Sequence, residues 1–175
     1  ITHDIIAEAF SLQVIRPDST TTDDVVWWMR QKVRDLGLET WFHPTVDIQR
    51  SEELLKSQVD AFSKPKPDKV IHPGDLLHCD FGITYLGLNT ACQQHAYLPR
   101  AGENTVPEYL RKAFVEGMRV QDIFTGNFEL GKTGNQILLK SLKEGREEGL
   151  RPAIYTHPLG SYGHSSGTTL GMWDS

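Results

Sequence analysis

One stretch constrains this chain more than any other: Asp75 to Leu98, DLLHCDFGITYLGLNTACQQHAYL. Apolar and polar residues alternate on both sides of a tight connection at Tyr85, Leu86 and Gly87. That pattern predicts two β-strands folded back antiparallel. The expected register sets Asp80 opposite Ala91 and Cys79 opposite Cys92. Side chains alternate faces along a strand. One face therefore collects His78, Asp80, Ala91, Gln93 and His95. The other collects Leu77, Cys79, Phe81, Cys92 and Gln94. An acid, an amide and two histidines on one face need partners or solvent, because burying unpaired polar groups is costly.

The remainder bounds the class. A length of 175 residues predicts a single domain, 1–175, large enough for a real core. A net charge of −5 gives no electrostatic footprint for nucleic acid, and no apolar run is long enough to span a membrane. Two cysteines are too few for a disulfide framework, which favours a reducing, cytoplasmic setting. The opening at Ile1 reads as a cut from something longer.

Helical periodicity predicts a helix over 2–15, closed by Pro17, and a second over 22–36. The second starts at the Thr20–Thr22 caps and stops at Gly37. Residues 41–50 read as a strand kinked at Pro44, and 51–63 as a short helix before the proline-rich loop 63–68. Helices are expected over 107–124 and 134–148, with a short strand at Pro152–Thr156. Trp27, Trp28 and Trp41 are expected to pack in the core or at its edge. The predicted class is α+β, with helices on one face of a mainly antiparallel sheet.

A second stretch bears chemistry: His157-Pro158-Leu159-Gly160-Ser161-Tyr162-Gly163-His164. Its glycines and histidines suit a loop that brings backbone close to a ligand. Taken singly, Asp80 reads as a strand-end acid, and each histidine as a loop residue held by carbonyls. Together the stretches resemble the pita-bread peptidase family of methionine aminopeptidase, aminopeptidase P, prolidase and the metal-free creatinase. The resemblance rests on Asp80-x-Gly82 with Tyr85 and Gly87 in register, and on His157, Gly160 and His164 at matching spacing. The run ITYLGLNTACQQHAYL and the ending Gly171-Met172-Trp173-Asp174 place it nearest the Xaa-Pro dipeptidase and aminopeptidase branch.

The resemblance implies a C-terminally incomplete pita-bread catalytic domain with a divalent metal pair (Mn, Co or Zn). It implies metal ligation by Asp80 and His157, a catalytic role for His157 and His164, and a substrate contact from His164. His95, on the sheet face with Asp80, and Trp173, just after the glycine-rich loop, are expected as further substrate contacts. The implied reaction is hydrolysis of an N-terminal peptide bond preceding proline, in which the metals activate a water and His164 donates to the substrate carbonyl. The expected partners are a peptide or small-molecule substrate and a second copy in a homodimer.

Two departures qualify this expectation. The second metal-binding Asp of the family falls eleven residues after Asp80, where this chain has Ala91. The chain also stops at Ser175, before the family's two glutamates. No stably bound metal pair is therefore expected, and Asp at position 91 alone is not expected to restore one. Two alternatives stand beside an impaired peptidase. One is creatinase-like, metal-independent histidine chemistry; the other is a pseudoenzyme that binds or dimerises.

Overall fold

The structure is a computed structural model describing residues 1–50, 69–160, 162, 163, 167 and 169–171. The readings of 51–63 and 63–68 as helix and loop lie outside the described residues. The chain forms two compact units, Ile1–Thr105 with Leu159–Gly163, and Val106–Pro158 with His164–Ser175. Each is taken by itself. No described helix is long and apolar enough to cross a membrane.

In the first unit α1 spans Thr2–Ala9 and α2 spans Thr22–Asp35. α1 stops short of the expected residue 15. The Ser11 hydroxyl donates to the Glu8 carbonyl at 2.7 Å and the Ser11 amide to the same carbonyl at 3.1 Å. A serine competing for backbone groups in this way favours a turn over another helical turn. α2 begins in a capping box. The Asp24 amide donates to Thr21 Oγ1 at 3.1 Å, and the Thr21 amide to Asp24 Oδ2 at 2.8 Å. It ends in a Schellman motif with Gly37 at φ 67°, the Leu38 amide reaching the Val33 carbonyl at 3.0 Å.

β1 (Thr45–Gln49), β2 (Leu76–Phe81) and β5 (Cys92–Tyr97) form an antiparallel sheet in the order β1-β2-β5. β1 opens at Thr45, after Pro44 rather than before it. β3 (Thr84–Tyr85) and β4 (Leu88–Asn89) make a separate two-stranded ladder at the hairpin tip. α1 and α2 cover the sheet face that carries Val46, Leu77, Cys79 and Phe81, and these residues form one core with Ile5, Ile6, Ala9, Val25, Met29 and Val33. Burying side chains such as Leu77 and Phe81 contributes roughly 1.5–3 kcal/mol each. Trp27 departs from the expectation of core packing: it is 61% exposed, with the Arg30 guanidinium 5.0 Å over its ring.

The two strands pair as expected, but in a different register. Asp80 faces Gln93, Cys79 faces Gln94, and Phe81 faces Cys92. The expected pairs Asp80–Ala91 and Cys79–Cys92 are not formed. The reason lies in the turn. Tyr85 pairs with Leu88, so the loop is the two residues Leu86 and Gly87, with φ of 50° and 76°. Positive φ at both positions marks a type I′ turn, whose twist matches the strands it joins. The pivot therefore falls between Leu86 and Gly87, one residue later than expected. The resulting slip is two residues along the partner strand, and an even slip keeps every side chain on its face. Both face sets survive the correction for the paired residues; Ala91 lies outside β5. Cys79 and Cys92 are free thiols, buried and half-buried.

The base of the sheet holds a buried ion pair that the sequence reading did not anticipate. Arg50 donates to both Asp75 carboxylate oxygens, at 2.7 and 3.0 Å, and also to the Val70 carbonyl. The His72 amide donates to Asp75 Oδ2 at 2.7 Å. The arginine and aspartate side chains are 4% and 0% exposed, so the charges depend on each other for solvation.

In the second unit α3 (Glu108–Gly126) follows Pro107, and α4 (Gly134–Glu147) starts in a Thr133–Gln136 capping box. Ile123, Ile137, Leu138 and Leu142 are buried, and Asn127 Nδ2 donates to Glu144 Oε2 at 2.6 Å. The strand expected at Pro152–Thr156 is absent. Only Thr156 pairs, with Leu170, through backbone bonds of 3.0 and 3.1 Å. Pro152 has no N–H to give and Pro158 closes the run, so no ladder extends from that bridge.

Candidate functional site

The open face of the sheet carries a polar row that follows from register alone. Asp47 faces His78, and His78 faces His95, so three strands contribute one residue each. His78 Nε2 lies 2.9 Å from Gln93 Oε1, an acceptor, which assigns the proton to Nε2. Its Nδ1 lies 3.8 Å from Asp47 Oδ2, and the His78 and His95 rings are 5.0 Å apart. Partial burial holds the His95 pKa below its ordinary value, and the neighbouring His78 adds to the shift. Asp80 sits on the same face one pair further along, half-buried opposite Gln93. No buried side-chain polar atom among the described residues lacks a hydrogen-bond partner.

The reverse face is apolar but for Gln94 at its exposed edge. The Cys79 thiol is pushed up to about 11, first by burial and only slightly by the Asp80 charge. Burial also raises the Cys92 pKa. Neither cysteine is an activated nucleophile in this setting.

Beyond Asp80 the backbone closes on itself. A β-carbon on Gly82 would overlap the Thr90 carbonyl oxygen and lie 2.7 Å from Trp41 Nε1 and 2.8 Å from Phe42 Cε1. Glycine is required there by close approach. Thr90 holds the return strand in place: its amide donates to the Ile83 carbonyl at 2.8 Å and its hydroxyl accepts from the Ile83 amide at 3.0 Å. Trp41 Nε1 donates to the Thr90 carbonyl at 2.7 Å. Ala91 follows, exposed, with only a methyl group to present.

The glycine-rich loop reaches the same place. Its segment Leu159–Gly163 belongs to the first unit. The Asn89 amide donates to the Gly160 carbonyl at 2.8 Å. The Trp41 ring lies so close to Gly163 that a β-carbon there would fall inside it. Trp41, Asn89 and Thr90 were not singled out as site residues from the sequence. The signal available for Trp41 was an aromatic just before β1 in a chain with glycines at 82 and 163.

His157, in the second unit, is half-buried. Its Nδ1 lies 2.9 Å from the Pro158 carbonyl, which can only accept. Nδ1 therefore donates to that carbonyl, which fixes the orientation of the ring. The Tyr155 ring is 5.9 Å away. His164 and Trp173, the expected substrate contacts, lie outside the described residues.

Among the described residues no three His, Cys, Asp or Glu side chains converge as metal ligands. At position 91, where the resemblance raised the expectation of an aspartate, there is a methyl.

No protein-family model matches the chain, and no curated protein matches it. Solved structures do. The X-Pro aminopeptidase of Thermotoga maritima MSB8 superposes with a TM-score of 0.69 at 18% identity, over 98% of this chain and 45% of that one. The Xaa-Pro dipeptidase of Bacillus anthracis gives 0.64 at 20% identity, over 95% and 45%. The prolidase of Pyrococcus furiosus gives 0.61 at 16% identity, over 92% and 46%. The chain spans less than half the length of these structures.

Proposed function

We propose that this chain is part of the catalytic unit of an Xaa-Pro peptidase-type protein, with a site that lacks a carboxylate at position 91. The fold it shares with part of the Xaa-Pro aminopeptidase and prolidase structures is the premise. One observation carries the reading. The loop that follows His157 is fastened to the hairpin that bears Asp80, by the Asn89–Gly160 hydrogen bond and the Trp41 contacts. The segment Leu159–Gly163 thus packs against the hairpin at Gly82, Asn89 and Thr90.

In this reading Asp80 and His157 are the surviving ligand positions and His164 is the donor toward a substrate carbonyl. Divalent metals in the family that the motifs resemble would supply an activated water and a polarised carbonyl. With Ala91 in place one carboxylate that would help hold such metals is missing. What this chain's own residues do is narrower. The Asp80 carboxylate sits on a sheet face already shaped by His78, Gln93 and His95. The His157 ring is oriented by the Pro158 carbonyl.

The same alanine favours a second reading, in which the cleft binds an Xaa-Pro peptide without cleaving it. Turnover and binding of an Xaa-Pro dipeptide, measured with and without Mn²⁺ or Co²⁺, separate the two. No turnover with Ala91 and measurable turnover with Ala91→Asp in the full-length protein is the result expected. Metal-stimulated turnover with Ala91 unchanged would contradict the proposal.

A further inference from the structure

We infer that Trp41 is the positioning residue of this site: one indole sets the hairpin end and the glycine-rich loop in register with each other. The inference rests on the reading of that loop as part of the site. Trp41 lies outside both motifs, just ahead of β1. Three contacts converge on it. Its Nε1–H donates to the Thr90 carbonyl at 2.7 Å, on the residue before position 91. Its Nε1 would lie 2.7 Å from any β-carbon on Gly82, two residues after Asp80. Its six-membered ring occupies the space of a β-carbon on Gly163, one residue before His164.

These contacts give one physical account of two glycines. Neither Gly82 nor Gly163 has the positive φ that would itself call for glycine. At each, the indole lies close enough that even alanine would collide, and at Gly82 the Thr90 carbonyl closes the space as well. A rigid bicyclic side chain with one donor suits the task. It fixes a distance between two backbones and pins one of them by a directional bond. Phe42 packs on Trp41 edge to face, with ring centroids 4.4 Å apart, and limits its rotation. The Asn89–Gly160 bond at 2.8 Å lies beside it and depends on the loop being seated. Trp41 acts through what it holds rather than by touching a reacting atom.

The test is site-resolved amide hydrogen exchange on Gly163→Ala, Trp41→Phe and Trp41→Leu. Gly163→Ala leaves the tryptophan in place and blocks only its seat. It should reduce protection of the Asn89 amide by about tenfold or more while the amides of β2 keep theirs, as expected for a local opening. Trp41→Leu should do the same. Trp41→Phe, which keeps a ring but loses the donor, should retain more of the Asn89 protection than Trp41→Leu. Unchanged Asn89 exchange in Gly163→Ala would overturn the inference. So would an equal loss across Asn89 and β2, since Trp41 would then be an ordinary core residue. Mn²⁺ stoichiometry of Ala91→Asp in the full-length protein tests the underlying functional reading separately. Its failure would leave the exchange result standing.

Discussion

At the scale of single residues, chemistry follows the two faces of one sheet. His95 shares the open face with His78 and Asp47, and both burial and His78 disfavour its charged form. Its imidazole should titrate below the ordinary histidine value in an NMR pH series. The stability consequence has a definite sign. Between the lowered folded value and the unfolded value the unfolded chain binds more protons, so stability rises with pH across that window. His95→Gln should flatten that rise. On the other face Cys79 is buried with its pKa raised to about 11, whereas Cys92 is half-buried. A thiol reagent at pH 8 should therefore label Cys92 first, with Cys79 reacting only as the fold opens. Equal labelling rates in the folded protein would contradict the assignment of Cys79 to the core. Arg50 and Asp75 are a different kind of residue pair. Each neutralises the other out of water, so Asp75→Asn should cost about 3–5 kcal/mol in urea unfolding. A cost near that of a surface pair would show that the charges are solvated.

At the scale of elements, the hairpin is specified by two independent signals, and only one was fully legible. Alternation along Leu76–Phe81 and Cys92–Tyr97 gave both faces correctly, because polarity records which side a residue occupies. Register is recorded elsewhere, in the turn. Tyr85, Leu86 and Gly87 all sit near the bend, and only the backbone angles of Leu86 and Gly87 identify the two-residue loop. Gly87→Ala, at φ 76°, should destabilise the hairpin by more than about 1 kcal/mol, since alanine disfavours that region. Helices were legible where side chains cap them. The start of α2 was visible as the Thr20–Thr22 caps, of which Thr21 forms the capping box, and Thr21→Ala should cost about 1 kcal/mol in thermal unfolding. The Asp24 carboxylate is held below its usual value mainly by the Thr21 amide, so its contribution is present at neutral pH and fades as pH falls through the lowered value. The end of α1 was not legible, because Ser11 can sit in a helix or close one, and its hydrogen bond to Glu8 decides. The Arg50–Asp75 pair and the Trp41 contacts join residues more than twenty positions apart, and no local pattern records such a pairing.

At the scale of the whole molecule, motif, fold and local packing point the same way. Asp80-x-Gly82 and the His157–His164 loop raised an expectation of Xaa-Pro peptidase architecture. The solved structures with those names share the fold over part of their length. The loop segment Leu159–Gly163 lies against the hairpin. Under the proposed function, one departure from a working metal pair lies within the chain and is local: a methyl at position 91. The direct measurement is the Mn²⁺ or Co²⁺ stoichiometry of the full-length protein by titration and elemental analysis, with Ala91 and with Ala91→Asp, using Asp80→Asn as control. Fewer than two equivalents are expected with Ala91, with a gain on Ala91→Asp and loss of that gain when Asp80→Asn is added. Two tightly bound equivalents with Ala91 unchanged would contradict the proposal.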